Sequence, residues 1–181
     1  MRKVFILDGP DGTGKSTLAS KLSEIYNIPI YHLTYYKDRE KFQKQFETAT
    51  KMIKEFILGE RDGFILDRYI LSEFAYQKAY RPDIPLINGA EDMLELLEHR
   101  AATGEIEVIV CLPNSRSEWF GFFDSLTNSR EEMYSGPKML DVYEEYLKLW
   151  KKMRYNKHVY RYDLFENMRG TNKNKVLTIN E

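Results

Sequence analysis

Cysteine is almost missing from this chain. Cys111 is the only one in 181 residues, so no intrachain disulfide can form and no thiolate metal cluster can be assembled. It lies in Val108-Ile109-Val110-Cys111-Leu112, a run that reads as a buried strand, where a thiol packs rather than reacts. Reducing surroundings are the simplest fit. Histidine is nearly as scarce, and His32, His99 and His158 are scattered without metal-ligand spacing, which argues against a structural zinc site. No apolar run approaches the roughly 20 residues of a membrane span. The first apolar run, residues 4–7, is too short for a secretory signal. The expectation is a cytosolic protein that engages no membrane. An excess of one charge is also lacking, with 27 Lys and Arg against 28 Asp and Glu. A net charge of −1 implies no strongly basic surface, so a nucleic-acid polymer is not the expected partner. Free nucleotides remain open.

What is present is ordinary globular material, 43% hydrophobic and 30% charged, in a length that suits one domain over 1–181 with a substantial core. Short apolar runs alternate with longer helical patterns. Strands are expected at 4–7, 28–33, 63–67, 107–112 and 158–162. Helices are expected at 14–26, 39–58, 72–80, 90–102 and 139–153. Such alternation predicts an α/β fold, a three-layer sandwich with a parallel five-stranded sheet covered on both faces. The stretch 113–137 has the weakest regular pattern, being rich in Ser and Asn with Gly121 and Gly136. It reads either as a surface excursion or as a lid. The tail 170–181 is polar.

The chemistry starts immediately after the first strand, in Gly9-Pro10-Asp11-Gly12-Thr13-Gly14-Lys15-Ser16-Thr17. This is the spacing G-x-x-x-x-G-K-S/T of the P-loop, in which backbone N–H groups wrap phosphates. Gly9, Gly12 and Gly14 permit the tight bend and close approach that aim several N–H groups at one anion. The helix beginning near Lys15 adds its positive end. Lys15 supplies a point charge to the β and γ phosphates, and Ser16 is the expected Mg²⁺ ligand. The substrate class is a nucleoside triphosphate, on a P-loop nucleoside triphosphate hydrolase-like fold.

A second cluster follows the third strand, in Leu66-Asp67-Arg68-Tyr69. Ligands of open parallel sheets bind at the carboxyl ends of strands, so Asp67 and Arg68 should face the same crevice as the P-loop. Asp67 suits Mg²⁺, held through its water shell, and Arg68 offers a fork for an acceptor phosphate. The competing reading is a structural Asp-Arg pair capping the helix at Ser72.

Together, DGTGKST and LDRYILSEFAYQ resemble the thymidylate kinase family of nucleoside monophosphate kinases. A weaker likeness lies in residues 53–59 and in Ser129-Arg130-Glu131-Glu132-Met133-Tyr134, which is similar to the family's lid. The resemblance implies transfer of a phosphoryl group from ATP to dTMP, giving dTDP and ADP, with Mg²⁺. It also implies a homodimer. Carried over residue by residue, Asp11 would sit between the P-loop and the acceptor, Arg68 would bind the acceptor phosphate next to Tyr69, and Tyr76 would lie against the deoxyribose. Ser72, Glu73 and Gln77 would be near the base. Gly12 and Thr13 stand where some members carry a P-loop Arg, so the cation that stabilises the transition state is expected from the lid. Arg130 is the first choice and Arg116 the second.

The chain departs from the family pattern in three places. An Arg-Glu-Pro-Gly segment is replaced by Thr34-Tyr35-Tyr36-Lys37-Asp38-Arg39, leaving Lys37 or Arg39 to substitute. The Phe and Arg that hold thymine are not recognisable; Phe42 or Phe46 either stacks on the base or belongs to the core. Glu73 stands where a small polar or amide residue is usual, and a carboxylate favours a base edge that donates, which thymine offers once and guanine more than once. Two alternatives therefore stay open. One is a kinase for a deoxynucleoside or for another or modified deoxynucleotide. The other is a P-loop switch protein, against which stands the lack of any NKxD motif.

Overall fold

A computed structural model describes residues 2–34, 38–127 and 137–169. The chain runs β1 (Val4–Asp8), α1 (Lys15–Tyr26), β2 (Ile30–His32), α2 (Arg39–Leu58), β3 (Phe64–Asp67), α3 (Ile70–Tyr80), α4 (Ala90–Ala102), β4 (Ile106–Cys111), α5 (Arg116–Thr127), α6 (Lys138–Met153), β5 (Val159–Tyr162) and α7 (Leu164–Met168). The five strands are parallel in the order β2-β3-β1-β4-β5. The expected three-layer sandwich is what forms.

The strand sequences explain the layers. Along β1, Val4 and Ile6 enter one core, and Phe5 and Leu7 the other. In β3 and β4, Phe64, Leu66, Val108 and Val110 join the first core, while Ile65, Ile109 and Cys111 join the second. A period of two with both sets apolar is the pattern of a sheet buried on both faces. Each such side chain contributes about 1.5–3 kcal/mol on burial. The larger core is closed by α2 to α6 and the smaller one by α1 and Leu164 of α7. In α2, Phe42, Phe46, Ala49, Ile53 and Phe56 recur every three or four residues and are the buried face. Asp38 starts this helix by accepting from the N–H groups of Glu40 (3.0 Å) and Lys41 (3.3 Å), and Gly59 ends it at φ 85°.

Three differences from the expected elements have simple causes. Strand two shrinks to three residues, because β2 is an edge strand paired only to β3 and its side chains are exposed. The stretch 113–137 contains a full helix, α5, masked in the sequence by Gly121 and the polar run before it. Ser115 caps it, its Oγ accepting from Glu118 N at 3.2 Å, and Trp119 and Phe123 form its buried stripe. The short α7 is capped by Asp163, which accepts from Phe165 N at 2.9 Å. The other half of the expected lid, residues 128–136 with Arg130, lies outside the described residues, as do Lys37 and the tail 170–181. No helix among the described residues is long and apolar enough to cross a membrane.

Candidate active site

Because β1 lies between β3 and β4, the chain leaves it in one direction for β2 and β3 and in the other for β4 and β5, and the crevice opens at its carboxyl end. The loop 9–14 sits there. Gly9 passes so close to β4 that a Cβ on it would lie 2.2 Å from the Cys111 carbonyl oxygen. Gly14, at φ 81°, would press a Cβ to 2.9 Å from Leu164 Cδ1 and is the residue from which α1 starts. Glycine is therefore required at Gly9 for space, against fixed backbone, and at Gly14 for its left-handed backbone angle. Cys111 is fully buried beneath this loop, its thiol pushed up to about 12 by burial, and it is inert as a nucleophile.

Lys15 is buried and lies across its own loop, donating to the carbonyl oxygens of Gly9 (2.9 Å) and Pro10 (2.6 Å). Burial, then repulsion from Arg68, lowers its ammonium to about 8, against the pull of Asp11. Thr13 donates to Pro10 O at 2.8 Å, so its hydroxyl braces the turn. Gly12, Ser16 and Thr17 line the cavity of about 210 Å³ that the loop encloses.

Ser16 Oγ donates to Asp67 Oδ2 at 2.9 Å, bringing together the two residues expected at the metal. The other carboxylate oxygen, Asp67 Oδ1, is buried with no hydrogen-bond partner among the described residues. A hydroxyl and a half-satisfied buried carboxylate are hard oxygen donors that fit Mg²⁺. His32, opposite Asp67 in the β2–β3 register, places Nδ1 3.1 Å from Asp67 Oδ2. Sequence reading passed over His32 because strand pairing, not spacing, puts it there.

Arg68 has φ 71°, a left-handed conformation that costs a non-glycine residue about 1–2 kcal/mol. Its N–H donates to Leu7 O at 2.8 Å, and the turn aims its guanidinium at Asp11, with which it forms an ion pair. Tyr76 donates to Asp11 Oδ2 at 3.0 Å, and its ring lies 5.8 Å from Arg68 Cζ. Burial acts to raise the Asp11 carboxyl, but Arg68 and then Lys15 outweigh it and hold the group below its ordinary value. Three residues upstream the outcome reverses. Asp8 is fully buried, and burial drives its carboxyl up despite hydrogen bonds from Ser72 and Tyr146. It accepts from Tyr69 N and Leu71 N, both at 3.1 Å, from Tyr146 OH at 3.0 Å and from the Ser72 hydroxyl. Thus Asp8, and not an Asp67–Arg68 pair, caps α3, and the Ser72 hydroxyl is spent on Asp8 and Tyr146.

Beside Arg68 opens a second cavity of about 240 Å³ whose lining includes the rings of Phe42, Phe46, Tyr69 and Tyr76. Phe46 stacks on Tyr69 with centroids 5.2 Å apart, and Tyr69 OH meets Thr50 Oγ1 at 2.6 Å. Phe42 and Phe46 are thus core and cavity wall at once. Asp11, His32 and Arg68 line both cavities.

Other expected residues are placed differently. Gln77 does not line the cavity; its amide donates to Ile84 O at 2.6 Å, tying down the loop after α3. Glu73 does line it, yet its carboxylate is taken up by Arg39 (3.3 Å), Arg81 (3.0 Å) and the Ile87 N–H (3.2 Å) rather than offered to a ligand. Arg39, also bonded to Pro85 O at 2.8 Å, is a brace of Glu73 and not a wall residue. Arg116 pairs with Glu144 at 2.7 Å on the exposed surface, in neither cavity.

Besides His32, two residues of the crevice were not recognised in the sequence. Arg81 lines the second cavity. Trp119 is fully buried, stacks on Tyr143 at 5.3 Å and donates its indole N–H to Asp11 O at 2.8 Å, pinning the P-loop to α5. Its i, i+4 pairing with Phe123 was the available signal.

No protein-family model matches the chain. Over 94 residues it is 33% identical to a "Putative thymidylate kinase" of Acidianus bottle-shaped virus, a match covering 51% of this chain and 58% of that one. Over 79 residues it is 33% identical to the SPbeta prophage-derived protein YorR of Bacillus subtilis, covering 43% and 44%. The chain thus matches about half the length of these curated relatives. Among solved structures, YorR in complex with phosphorylated GDP superposes with a TM-score of 0.61 at 20% identity, over 96% of this chain and 99% of that one. Deoxyadenosine kinase from M. mycoides with bound dATP gives 0.58 at 15%, over 96% and 100%. Thymidylate kinase from Candida albicans gives 0.52 at 16%, over 95% and 92%. The fold is that of the P-loop nucleotide and deoxynucleoside kinases, and the resemblance carried by the two motifs is borne out.

Proposed function

We propose that this P-loop kinase chain transfers the γ-phosphoryl group of ATP to the phosphate of a deoxynucleoside monophosphate, dTMP before others, giving dTDP and ADP. The observation that carries the reading is Arg68, whose guanidinium borders both the phosphate cradle and the aromatic cavity. A group so placed can bind the acceptor phosphate and aim it at the donor. Nucleophile activation is not required, since a phosphate acceptor is already anionic; alignment and charge neutralisation do the work.

In this reading the loop N–H groups and the end of α1 hold the β and γ phosphates. Lys15 leaves the carbonyls of Gly9 and Pro10 to reach them. Ser16 and Asp67 would hold Mg²⁺, which when bound supplies further neutralisation of the phosphates. Asp11 fixes the Arg68 fork and the Tyr76 hydroxyl, and the Tyr76 ring fills the space that a ribose 2′-hydroxyl would need. The lid cation expected from Arg130 completes the charge balance.

The test is ADP release with Mg-ATP against dTMP, dUMP, dGMP, dCMP and dAMP, their ribose counterparts and free thymidine. A guanine nucleotide belongs in the panel because the YorR structure holds one. Phosphorylation of deoxynucleoside monophosphates well above the ribonucleotides is expected. Preference for free thymidine, or ATP turnover indifferent to every acceptor, would sink the reading.

A further inference from the structure

Three elements meet at one carboxylate oxygen. Asp67, the last residue of β3, has a side chain only 4% exposed. Its Oδ2 accepts from Ser16 Oγ of α1 at 2.9 Å and from His32 Nδ1 of β2 at 3.1 Å, while Oδ1 is buried with no hydrogen-bond partner among the described residues. Each carboxylate oxygen has about two acceptor sites. Protein donors therefore fill Oδ2, and Oδ1 is the oxygen with lone pairs to spare for a cation or its water shell.

The bond from His32 is a product of the fold. His32 is the last residue of β2, and the parallel register sets it opposite Asp67. The backbone there is tied to two elements: Leu33 N donates to Asp67 O at 3.0 Å, and His32 O accepts from Gln45 Nε2 of α2 at 3.4 Å. An ionised carboxylate only accepts, so the hydrogen of the His32 bond is on Nδ1. The torsion that turns an Asp carboxylate is soft, and a single donor lets the group swing about that contact. A second donor from a different element removes this freedom. The imidazole is 52% exposed, so packing in the core does not explain its place. It lines both the phosphate cradle and the second cavity, which is the acceptor cavity of the proposed function.

We infer that His32 is a positioning residue of the cation site, fixing the Asp67 carboxylate through Oδ2 so that Oδ1 is kept for Mg²⁺ or for water of its shell. This rests on the assignment of Ser16 and Asp67 to Mg²⁺ in the proposed function, and not on the identity of the acceptor. Groups that orient a metal ligand in this way contribute about 10–100-fold to metal affinity. A half-exposed surface ion pair without such a role contributes little.

The experiment measures the affinity of a non-hydrolysable ATP analogue by calorimetry, once with Mg²⁺ and once in EDTA, and takes the ratio as the gain due to the metal. The proteins are the wild type, His32→Leu, His32→Asn, Asp67→Asn and the double variant His32→Leu with Asp67→Asn, with a melting curve for each. A wild-type gain of at least about 30-fold is expected, and His32→Leu should cut it about tenfold or more while the affinity in EDTA stays within about twofold. His32→Asn, whose amide N–H can donate in place of Nδ1, should keep the gain within about threefold of wild type. Asp67→Asn should lower the gain by itself, and adding His32→Leu should change it by less than about twofold further, because the histidine acts through that carboxylate. A merely structural histidine would weaken binding with and without metal alike, which would overturn the inference. So would an unchanged gain in His32→Leu, a loss as large in His32→Asn, or an undiminished effect of His32→Leu in the Asp67→Asn background. A wild-type gain below about threefold would also overturn it, without need of any variant. If the gain behaves as expected but no acceptor in the nucleotide panel is phosphorylated, the kinase reading falls and the role of His32 stands.

Discussion

The two halves of the crevice are built in opposite ways. The phosphate cradle is one stretch, residues 9–17, whose key contacts join neighbours: Lys15 to Gly9 and Pro10, Thr13 to Pro10. The acceptor cavity is assembled from the end of β2, from α2, from α3 and from Arg81 beyond it. Its Asp11–Arg68 pair spans 57 positions, and its Arg39–Glu73 pair 34. A local cradle presents backbone groups to any triphosphate; a cavity assembled from distant segments can change its base-facing residues while keeping the phosphate end. In the proposed function, the contrast separates a part that fixes the reaction type from a part that fixes the substrate.

The sharpest test of that division is Lys15→Ala. It should reduce kcat/KM by about 10³-fold or more, some 4 kcal/mol of transition-state stabilisation, for every acceptor equally. The melting temperature should not fall, because a costly buried cation has been removed. A loss confined to one acceptor in the nucleotide panel would break the division. Arg68→Ala should come next, with about 10²-fold lost in kcat/KM for monophosphates and the KM for ATP within about twofold of wild type. Equal damage to both would show that Arg68 serves the nucleotide donor as much as the acceptor.

Proton linkage gives a third, smaller effect. In the free protein Lys15 titrates near 8, below its ordinary 10.5, because burial and Arg68 disfavour the charge. Bound phosphates favour the charge and raise that value, so above pH 8 nucleotide binding must take up a proton. Affinity for ATP, measured by calorimetry, should be flat below about pH 7.5. It should then weaken toward tenfold per pH unit between about 8.5 and 9.5. An affinity independent of pH over that range would mean that Lys15 is not the phosphate cation. Last, Trp119→Phe keeps a stacked ring against Tyr143 but removes the hydrogen bond to Asp11 O, worth about 1 kcal/mol. Since Asp11 borders both cavities, the KM values for ATP and for the acceptor should each rise several-fold together. A rise in only one would place Trp119 on that side.

How well the chain could be read follows the same line. α2 was legible at both ends, because Asp38 and Gly59 are local start and stop signals around an apolar stripe. Helix α5 was not, since Gly121 and the polar run before Arg116 conceal a stripe of only Trp119 and Phe123. Gln77 was expected near the base and instead holds Ile84, while Ser72 does line the cavity but has its hydroxyl engaged by Asp8 and Tyr146. Polar residues on a helix give no sign of whether they face a ligand or the protein.

Sequence alone determined the alternation of strands and helices, the nucleotide cradle and the pairing of Ser16 chemistry with an acidic residue after strand three. Those signals lie in periodicity and in fixed spacing over a few residues, where geometry follows from covalent connection. Only the tertiary structure decided that Asp8 caps α3, that Trp119 pins the P-loop, that His32 stands at Asp67 and that Glu73 is consumed by two arginines. These contacts join residues 8 to 108 positions apart. Their energy comes from burial of polar groups that must find partners, and which partner is within reach is known only once the layers have packed.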